Sequence, residues 1–347
     1  MNRGHRLVGL LVVGVSVAST LVVPVVHADA TNGDIFYTTF SGNDRVFKRS
    51  YSFDGTTLTY GTDTVISTIV PGGLSGADGI VFDPTNTSFL IVGGQDGHFN
   101  RVDISTGTAT QSSSFTSSGA TIFHLVVDPS KTSVWGSGIP DSPIVNLSLS
   151  PFNSSSTVLP VINAVGTGDT SLTGLAFVGS TAYYTSSPAP GTGSFGTIDL
   201  TTGETTRLFS GIPAAHGLIF DSFTGDLILT GDSEIRQFDP ISGLFVGPTL
   251  TLSGNQFDQG TADGKGHLFV ASNDGDMLFV DYRSSGLVGD ASNVTDLRFF
   301  RANLDDVAPL SGEGSREPVI PEPASLLLFG LGGIGAAFTR RRRLSRV

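Results

Sequence analysis

Six polar residues occupy the same place in a short motif that recurs along the chain, and they are the residues best suited to chemistry. The motif is a small or polar residue, then Gly, then an apolar triplet that is often followed by Asp, as in residues 78–83 (DGIVFD). The first positions are Asp78, His124, Thr173, His216, Gln259 and Asp305. Carboxylates favour Ca²⁺ and imidazoles favour transition metals. If the six side chains converge, Asp78, His124, His216 and Asp305 are candidate ligands for a divalent cation, and a water-filled polar funnel is the alternative.

The spacing of the motif predicts the elements that must position these residues. Successive copies are separated by 43 to 49 residues. A period in the forties with several short strands in each repeat is typical of a β-propeller. Each repeat continues with an apolar second strand, a third strand that ends in an Asp- and Gly-containing turn such as residues 103–107 (DISTG), and a Thr/Ser-rich fourth strand.

The predicted fold is therefore all-β, a six-bladed β-propeller over residues 29–310. Seven blades is the alternative, if residues 283–301 form a further repeat. Residues 34–60 resemble the second, third and fourth strands of a blade that lacks its first. A C-terminal strand at residues 305–310 would complete that blade and remove the open sheet edges. The innermost strands of such a ring line its channel, so we expect the six polar residues at the channel mouth.

The C-terminal tail has an order of residue types that indicates sorting. Its acid lies between two prolines, a 15-residue apolar run follows at 324–338, and a basic cluster comes after the run. As a helix the run measures about 22 Å, short for a hydrocarbon core of about 30 Å. The motif residues are Pro321, Glu322, Pro323, Arg340, Arg341, Arg342 and Arg343. This pattern resembles the PEP-CTERM sorting signal, and the resemblance implies transient insertion of a short hydrophobic helix in the inner membrane and processing by exosortase. An ordinary single-pass anchor is the alternative.

The N-terminus predicts export by the general secretory route. Two arginines precede an apolar stretch at residues 7–26, and small residues follow at the positions that signal peptidase reads. The predicted helical signal peptide is residues 1–28, with cleavage after Ala28 or Ala30. Residues 311–320, rich in Gly, Ser, Glu and Pro, then link the propeller to the sorting signal at 321–347. We expect export through the inner membrane of a Gram-negative-type bacterium, and a cell-surface or extracellular product.

Composition excludes several functions. The chain has no cysteine, which excludes disulfides, thiol chemistry and cysteine metal sites. Its formal net charge is −12, and removal of residues 1–28 and 321–347 takes seven basic residues and one acidic residue and leaves −18. Such a surface repels nucleic acid.

Two propeller families resemble parts of this chain. Residues 77–80 (ADGI) and 215–218 (AHGL) are similar to first-strand segments of gluconolactonase-type calcium hydrolases and of virginiamycin-type lyases. The first resemblance implies a calcium ligand at Asp78, with Asp305 or Asp306 as the nearest substitute for an early Glu ligand. The second implies a base at His216. Thr173 and His216 stand where the hydrolases have Asn, and no nucleophile–base pair is readable. We therefore favour a non-catalytic module that binds extracellular polysaccharide or a surface protein over a metal-dependent hydrolase or a lyase.

Overall fold

The structure is a computed structural model that describes residues 31–40, 45–68, 77–164, 166, 168–187 and 192–308. The predicted signal peptide at 1–28, the linker at 311–320 and the sorting signal at 321–347 lie outside these residues. Within the described ranges the chain forms 25 strands and two 3₁₀ turns, Thr116–Ser118 and Ala291–Asn293.

The strands form six antiparallel sheets, which we number as blades 1 to 6. Blade 1 contains β1 (Thr31–Thr39), β2 (Arg45–Phe53), β3 (Leu58–Tyr60), β4 (Thr64–Thr68) and the last strand of the chain, β25 (Leu304–Val307). Blade 2 contains β5 (Ala77–Phe82), β6 (Phe89–Gly94), β7 (Phe99–Asp103) and β8 (Ala109–Gln111). Blade 3 contains β9 (His124–Val127), β10 (Ser133–Ser137), β11 (Ile144–Leu149) and β12 (Phe152–Leu159).

The second half of the ring has the same order of strands. Blade 4 contains β13 (Gly174–Val178), β14 (Thr181–Ser186), β15 (Ser194–Ile198) and β16 (Thr205–Ser210). Blade 5 contains β17 (Gly217–Phe220), β18 (Leu227–Gly231), β19 (Glu234–Asp239) and β20 (Leu244–Thr251). Blade 6 contains β21 (Phe257–Ala262), β22 (His267–Ser272), β23 (Asp276–Asp281) and β24 (Val294–Phe299).

The ring closes as the sequence predicts, with six blades. β25 pairs antiparallel with β1 as the innermost strand of blade 1, and it contacts the innermost strands of blades 2 and 6. The prediction of a closing C-terminal strand is confirmed. The alternative of seven blades is wrong, because residues 283–301 supply only a 3₁₀ turn and β24, the fourth strand of blade 6, and no seventh sheet occurs in the described part of the chain.

The hydrophobic core lies between the blades. Six clusters of buried side chains each combine residues of two neighbouring blades, and together they cover every interface around the ring. The motif glycines permit this packing. A Cβ on Gly79 would lie 2.5 Å from the carbonyl oxygen of Phe123 in the next blade, and one on Gly174 would lie 2.9 Å from the carbonyl oxygen of His216. The Gly of the motif is therefore required by the close approach of adjacent inner strands.

The Asp that ends several copies of the motif has a structural role. Asp128 accepts a hydrogen bond from the indole N–H of Trp135 at 2.8 Å. Asp83 and Asp263 hold side chains of their own blades in the same way, with Arg101 Nε 2.7 Å from Asp83 Oδ2 and His267 Nδ1 2.5 Å from Asp263 Oδ2. These carboxylates hold side chains within their own blades, whereas the residue at the first position of the motif faces the channel in most copies.

Candidate functional site

The inner strands bring the predicted residues together at one end of the channel. A cavity of ≈160 Å³ lies there, and its polar lining is Asp78, Gln95, His124, Thr173, His216, Asp258, Asn273 and Asp305. The four residues singled out from sequence, Asp78, His124, His216 and Asp305, are all among them. They come from blades 2, 3, 5 and 1, and all except His216 are buried. Residues at equivalent positions of different sequence repeats therefore lie together in one site, because the inner strands surround a common channel.

One predicted channel residue is wrong. Gln259 does not line the cavity; its Oε1 instead accepts a hydrogen bond from the backbone N–H of Leu218 in blade 5, at 3.0 Å. Asp258, one residue earlier, takes its place. The register of β21 against β22 shifts between Phe257 and Gly260, and this bulge rotates Asp258 toward the channel.

Bulges mark the inner strands that carry carboxylates. The register of β5 shifts between Ala77 and Ile80, around Asp78, and that of β1 with β25 shifts between Tyr37 and Thr39, opposite Asp305 and Asp306. The inner strands of blades 3, 4 and 5 pair with their neighbours without a shift. The acidic residues therefore come from three consecutive blades, 6, 1 and 2, whose inner strands are locally distorted where they meet.

Six residues form the site, and we call them the Asp/His cluster. They fall into three overlapping groups of three residues, and within each group the possible ligand atoms lie within 4.8 Å of one another. The members of the cluster are Asp78, His124, His216, Asp258, Asp305 and Asp306. From the sequence, Asp305 or Asp306 is the nearest substitute for the early Glu ligand, and in the structure both residues belong to the cluster. Asp258 is not among the residues singled out from the sequence. The only feature that could have indicated it is its position as an acid directly before the first residue of a motif copy.

The two histidines are held by carboxylates. Nδ1 of His216 lies 2.6 Å from Oδ1 of Asp258, and Nδ1 of His124 lies 3.3 Å from Oδ2 of Asp306. Nε2 of His124 is also 3.8 Å from Oδ1 of Asp258. The two rings stand nearly perpendicular, at 87° with centroids 5.2 Å apart. Asp258 therefore lies between both imidazoles.

Burial controls the charge of the carboxyl groups. It raises the pKa of Asp78 well above its usual range, and the charge of Asp306 adds to this effect. The pKa of Asp305 is raised by burial and then by the charges of Asp78 and Asp258. Burial also raises the pKa of Asp306, against the opposing effect of His124. Three carboxyls so placed favour uptake of protons or of another cation.

The pKa values of His124 and Asp258 are shifted because each of these groups lies beside side chains of opposite charge. Burial favours the neutral form of His124, but nearby carboxylates, Asp306 foremost, outweigh it and raise its pKa to about 9. Burial likewise opposes ionisation of Asp258, yet His216 and then His124 hold its pKa well below the usual range. Asp258 is thus the carboxylate that stays ionised.

Two oxygens of the cluster have no partner. Oδ2 of Asp305 and Oδ1 of Asp306 are buried and accept no hydrogen bond from an N–H or hydroxyl group, and these residues are only 3% and 1% exposed. The Asp305 carboxyl instead lies within hydrogen-bond reach of the carboxyls of Asp78 and Asp258. Buried polar atoms are nearly always paired. Carboxylate oxygens that accept no hydrogen bond, in a cluster that also holds imidazole nitrogens, form a set of ligands that suits a divalent cation.

Comparison with known proteins identifies the C-terminal tail. A family model described as the PEP-CTERM protein-sorting motif matches residues 319–343. The chain carries a PEP-CTERM sorting motif. The PEP-CTERM motif implies export, sorting to the cell surface in bacteria and processing by exosortase. It covers the Pro-Glu-Pro sequence at residues 321–323 and the four arginines at 340–343.

Two further comparisons concern the whole chain. A search among curated proteins finds no match. Among solved structures, the chain is similar to the β-propeller domain of Cps50 (Swd1) from Myceliophteria thermophila, with a TM-score of 0.49 and 11% sequence identity over 80% of this chain and 90% of that one. No helix within the described ranges is long and apolar enough to cross a membrane.

Proposed function

We propose that this protein is an exported surface protein whose propeller is a non-catalytic binding module that holds a divalent cation at the channel mouth. The observation that supports the cation is the pair of buried, unpartnered oxygens on Asp305 and Asp306, within a cluster that includes two imidazoles. An unpaired buried polar group costs about 1–3 kcal/mol, and more when it is charged. A cation bound to these oxygens would remove that cost.

The mixture of ligand types favours a transition metal over Ca²⁺. Calcium sites are built from oxygen ligands, whereas imidazole suits zinc and other transition metals. Asp306 engages Nδ1 of His124 and thereby leaves Nε2 of this ring for an ion. A carboxylate behind a metal-bound imidazole is the usual way in which proteins orient such a ligand. Zn²⁺ and Mn²⁺ are the ions that we expect to bind.

The destination of the module follows from its sorting signal. We propose export through the inner membrane of a Gram-negative-type bacterium, removal of the signal peptide by signal peptidase, and processing by exosortase near Pro321. The product would then act at the cell surface or outside the cell. We propose that its loops bind extracellular polysaccharide or another surface protein. Nucleic acid is not a partner, because a net charge of −18 repels it.

Metal binding is tested by thermal denaturation of the full-length protein in detergent. After treatment with a chelator, the protein is melted with and without Zn²⁺, Mn²⁺ or Ca²⁺ at constant ionic strength. An ion at 100 times its dissociation constant adds about 2.7 kcal/mol to the free energy of unfolding. For a domain of this size we expect a rise in Tm of roughly 5–10 °C.

Two matched variants decide whether the response comes from the channel mouth. Asp78→Asn should abolish the rise in Tm. Asp103→Asn makes the same substitution in the same blade, in an exposed turn where the carboxylate accepts hydrogen bonds from the N–H groups of Ser105 and Thr106, and it should respond like the wild type. If Asp78→Asn responds as strongly as Asp103→Asn, cations act only by screening the acidic surface and the proposal is wrong.

A metal-dependent hydrolase or a lyase is the second candidate. It is favoured by the His216–Asp258 pair, because Asp258 orients an imidazole whose side chain is 28% exposed and borders the ≈160 Å³ cavity. An oriented imidazole at a cavity can act as a general base. Assays of the metal-loaded protein on lactones test this candidate: turnover that His216→Asn abolishes would support catalysis, and no turnover would leave the binding module.

A further inference from the structure

The strand that closes the ring is short. β25 has four residues, and its ladder with β1 consists of the pairs Tyr37↔Val307 and Thr39↔Leu304 on either side of a bulge. Backbone bonds flank the ladder, from Phe40 N–H to the carbonyl of Asn303 at 3.1 Å and from Ala308 N–H to that of Phe36 at 2.8 Å. The last link of the ring is thus held by few backbone interactions.

This strand nevertheless supplies a third of the Asp/His cluster. Asp305 and Asp306 are neighbours, and in a regular strand they would point to opposite faces. The bulge lies at these two residues, which together face Thr38 of β1, and it lets both carboxylates enter the cluster. Both are buried, and each has an oxygen without a hydrogen-bond partner. The closing strand is therefore the element whose side chains have most to gain from a cation.

Without a cation, these carboxylates oppose closure. Asp305 and Asp306 share the buried cluster with Asp78 and Asp258, which project from the inner strands of blades 2 and 6. Carboxyl groups crowded into a buried site either take up protons or repel one another, and a coordinated ion replaces both with attraction. Asp258 of blade 6 shares a group of possible ligand atoms with Asp305 and Asp306, and Asp78 of blade 2 shares one with Asp306 and His124. An ion at either group would therefore tie the closing strand to a neighbouring blade.

We propose that the cation is a clasp for the ring: binding of the ion and docking of β25 are one coupled equilibrium, in which Asp305 and Asp306 bind the ion and Asp306 also positions His124. This inference rests on the proposed cation site. The sorting motif begins 12 residues after Val307, so β25 is the strand by which the sorting tail is joined to the propeller. The clasp would hold the propeller closed at the end where the chain is processed.

Hydrogen exchange read by mass spectrometry tests the clasp on the full-length protein in detergent. The reporters are the amides of Asp306 and Ala308, which donate to Oγ1 of Thr38 and to the carbonyl oxygen of Phe36. If the ion must leave before β25 opens, an ion at 100 times its dissociation constant should slow their exchange by about 100-fold. Blade 4 contributes no residue to the Asp/His cluster, and peptides from β14 and β15 serve as the internal control with unchanged exchange.

Variants separate the two carboxylates from general charge effects. Asp305→Asn should reduce both the affinity for Zn²⁺ or Mn²⁺ and the protection of β25. Asp306→Asn should weaken affinity by about 10–100-fold, the usual effect of losing a group that orients a metal-bound imidazole. Asp103→Asn should behave as the wild type. The wild-type comparison with and without ion requires no variant, so a misfolded variant does not prevent the test.

The outcomes distinguish the clasp from the site on which it rests. If calorimetry detects no ion bound to the wild type, the proposed cation site and the clasp both fall. If an ion binds and Asp78→Asn abolishes binding, but exchange in β25 stays the same or slows equally in blade 4, the site stands and the clasp is wrong. Slower exchange confined to β25 and to the inner strands of blades 2 and 6 would establish the clasp.

Discussion

Leu304→Ala tests whether side-chain packing of β25 closes the ring. Leu304 is fully buried, in a cluster that joins blades 6 and 1 and includes Phe47, Phe279 and Phe300. Truncation of a buried Leu to Ala removes favourable transfer free energy and leaves a cavity, which together cost about 2–5 kcal/mol. Because Leu304 is fully buried in a cluster rich in aromatic side chains, we expect a loss within this range, about 3 kcal/mol.

The effect is measured as a change in the melting temperature by circular dichroism. In a domain of this size 3 kcal/mol corresponds to a fall of roughly 6–12 °C. The buffer contains a chelator, so that the measurement reports packing alone. Leu244→Ala is the matched control, because Leu244 is 62% exposed on an outer strand and its loss should cost under about 0.5 kcal/mol. Equal melting temperatures for the two variants would show that β25 does not carry the closure of the ring.

Three further predictions concern other parts of the molecule. Asp258→Asn should abolish the metal-dependent rise in Tm. Gln259→Leu should keep that rise but lower the free energy of unfolding by about 1–3 kcal/mol, because a buried N–H of blade 5 loses its acceptor. The opposite result would show that Gln259, and not Asp258, faces the channel. Burial opposes ionisation of Asp169, but hydrogen-bond donors on Arg207, Ser194 and Tyr184 outweigh it and lower the pKa of Asp169. The ionised carboxylate therefore stabilises the fold above the unfolded pKa of about 3.9, and this stabilisation is lost as the pH falls below it. Denaturant midpoints at pH 5 and pH 3 should differ less in Asp169→Asn than in the wild type. Protein from the native host should lack residues 1–28 and 326–347 by intact-mass analysis, and recovery of the complete tail would contradict exosortase processing.

The architecture and the sorting signal could both be predicted from the sequence alone. Both depend on local patterns: the Gly-apolar motif repeats at a nearly constant interval, and the tail carries its acid, apolar and basic segments within 27 residues. The closing strand was also readable, because the first blade lacks an inner strand and residues 305–310 match the motif loosely. Only four of the six cluster residues were singled out as ligands, Asp78, His124, His216 and Asp305, because each occupies the motif's first position.

Tertiary structure decided the rest of the site. Period-two alternation predicts that neighbouring residues face opposite sides of a strand, so it selects Gln259 over Asp258 and allows only one of Asp305 and Asp306. Register shifts overturn both choices, and these shifts arise where the inner strands of blades 6, 1 and 2 converge on the channel. A bulge depends on pairing with another strand and on packing against the next blade. Neither partner is visible in the local sequence, and for this reason the direction of these carboxylates could be read only from the folded ring.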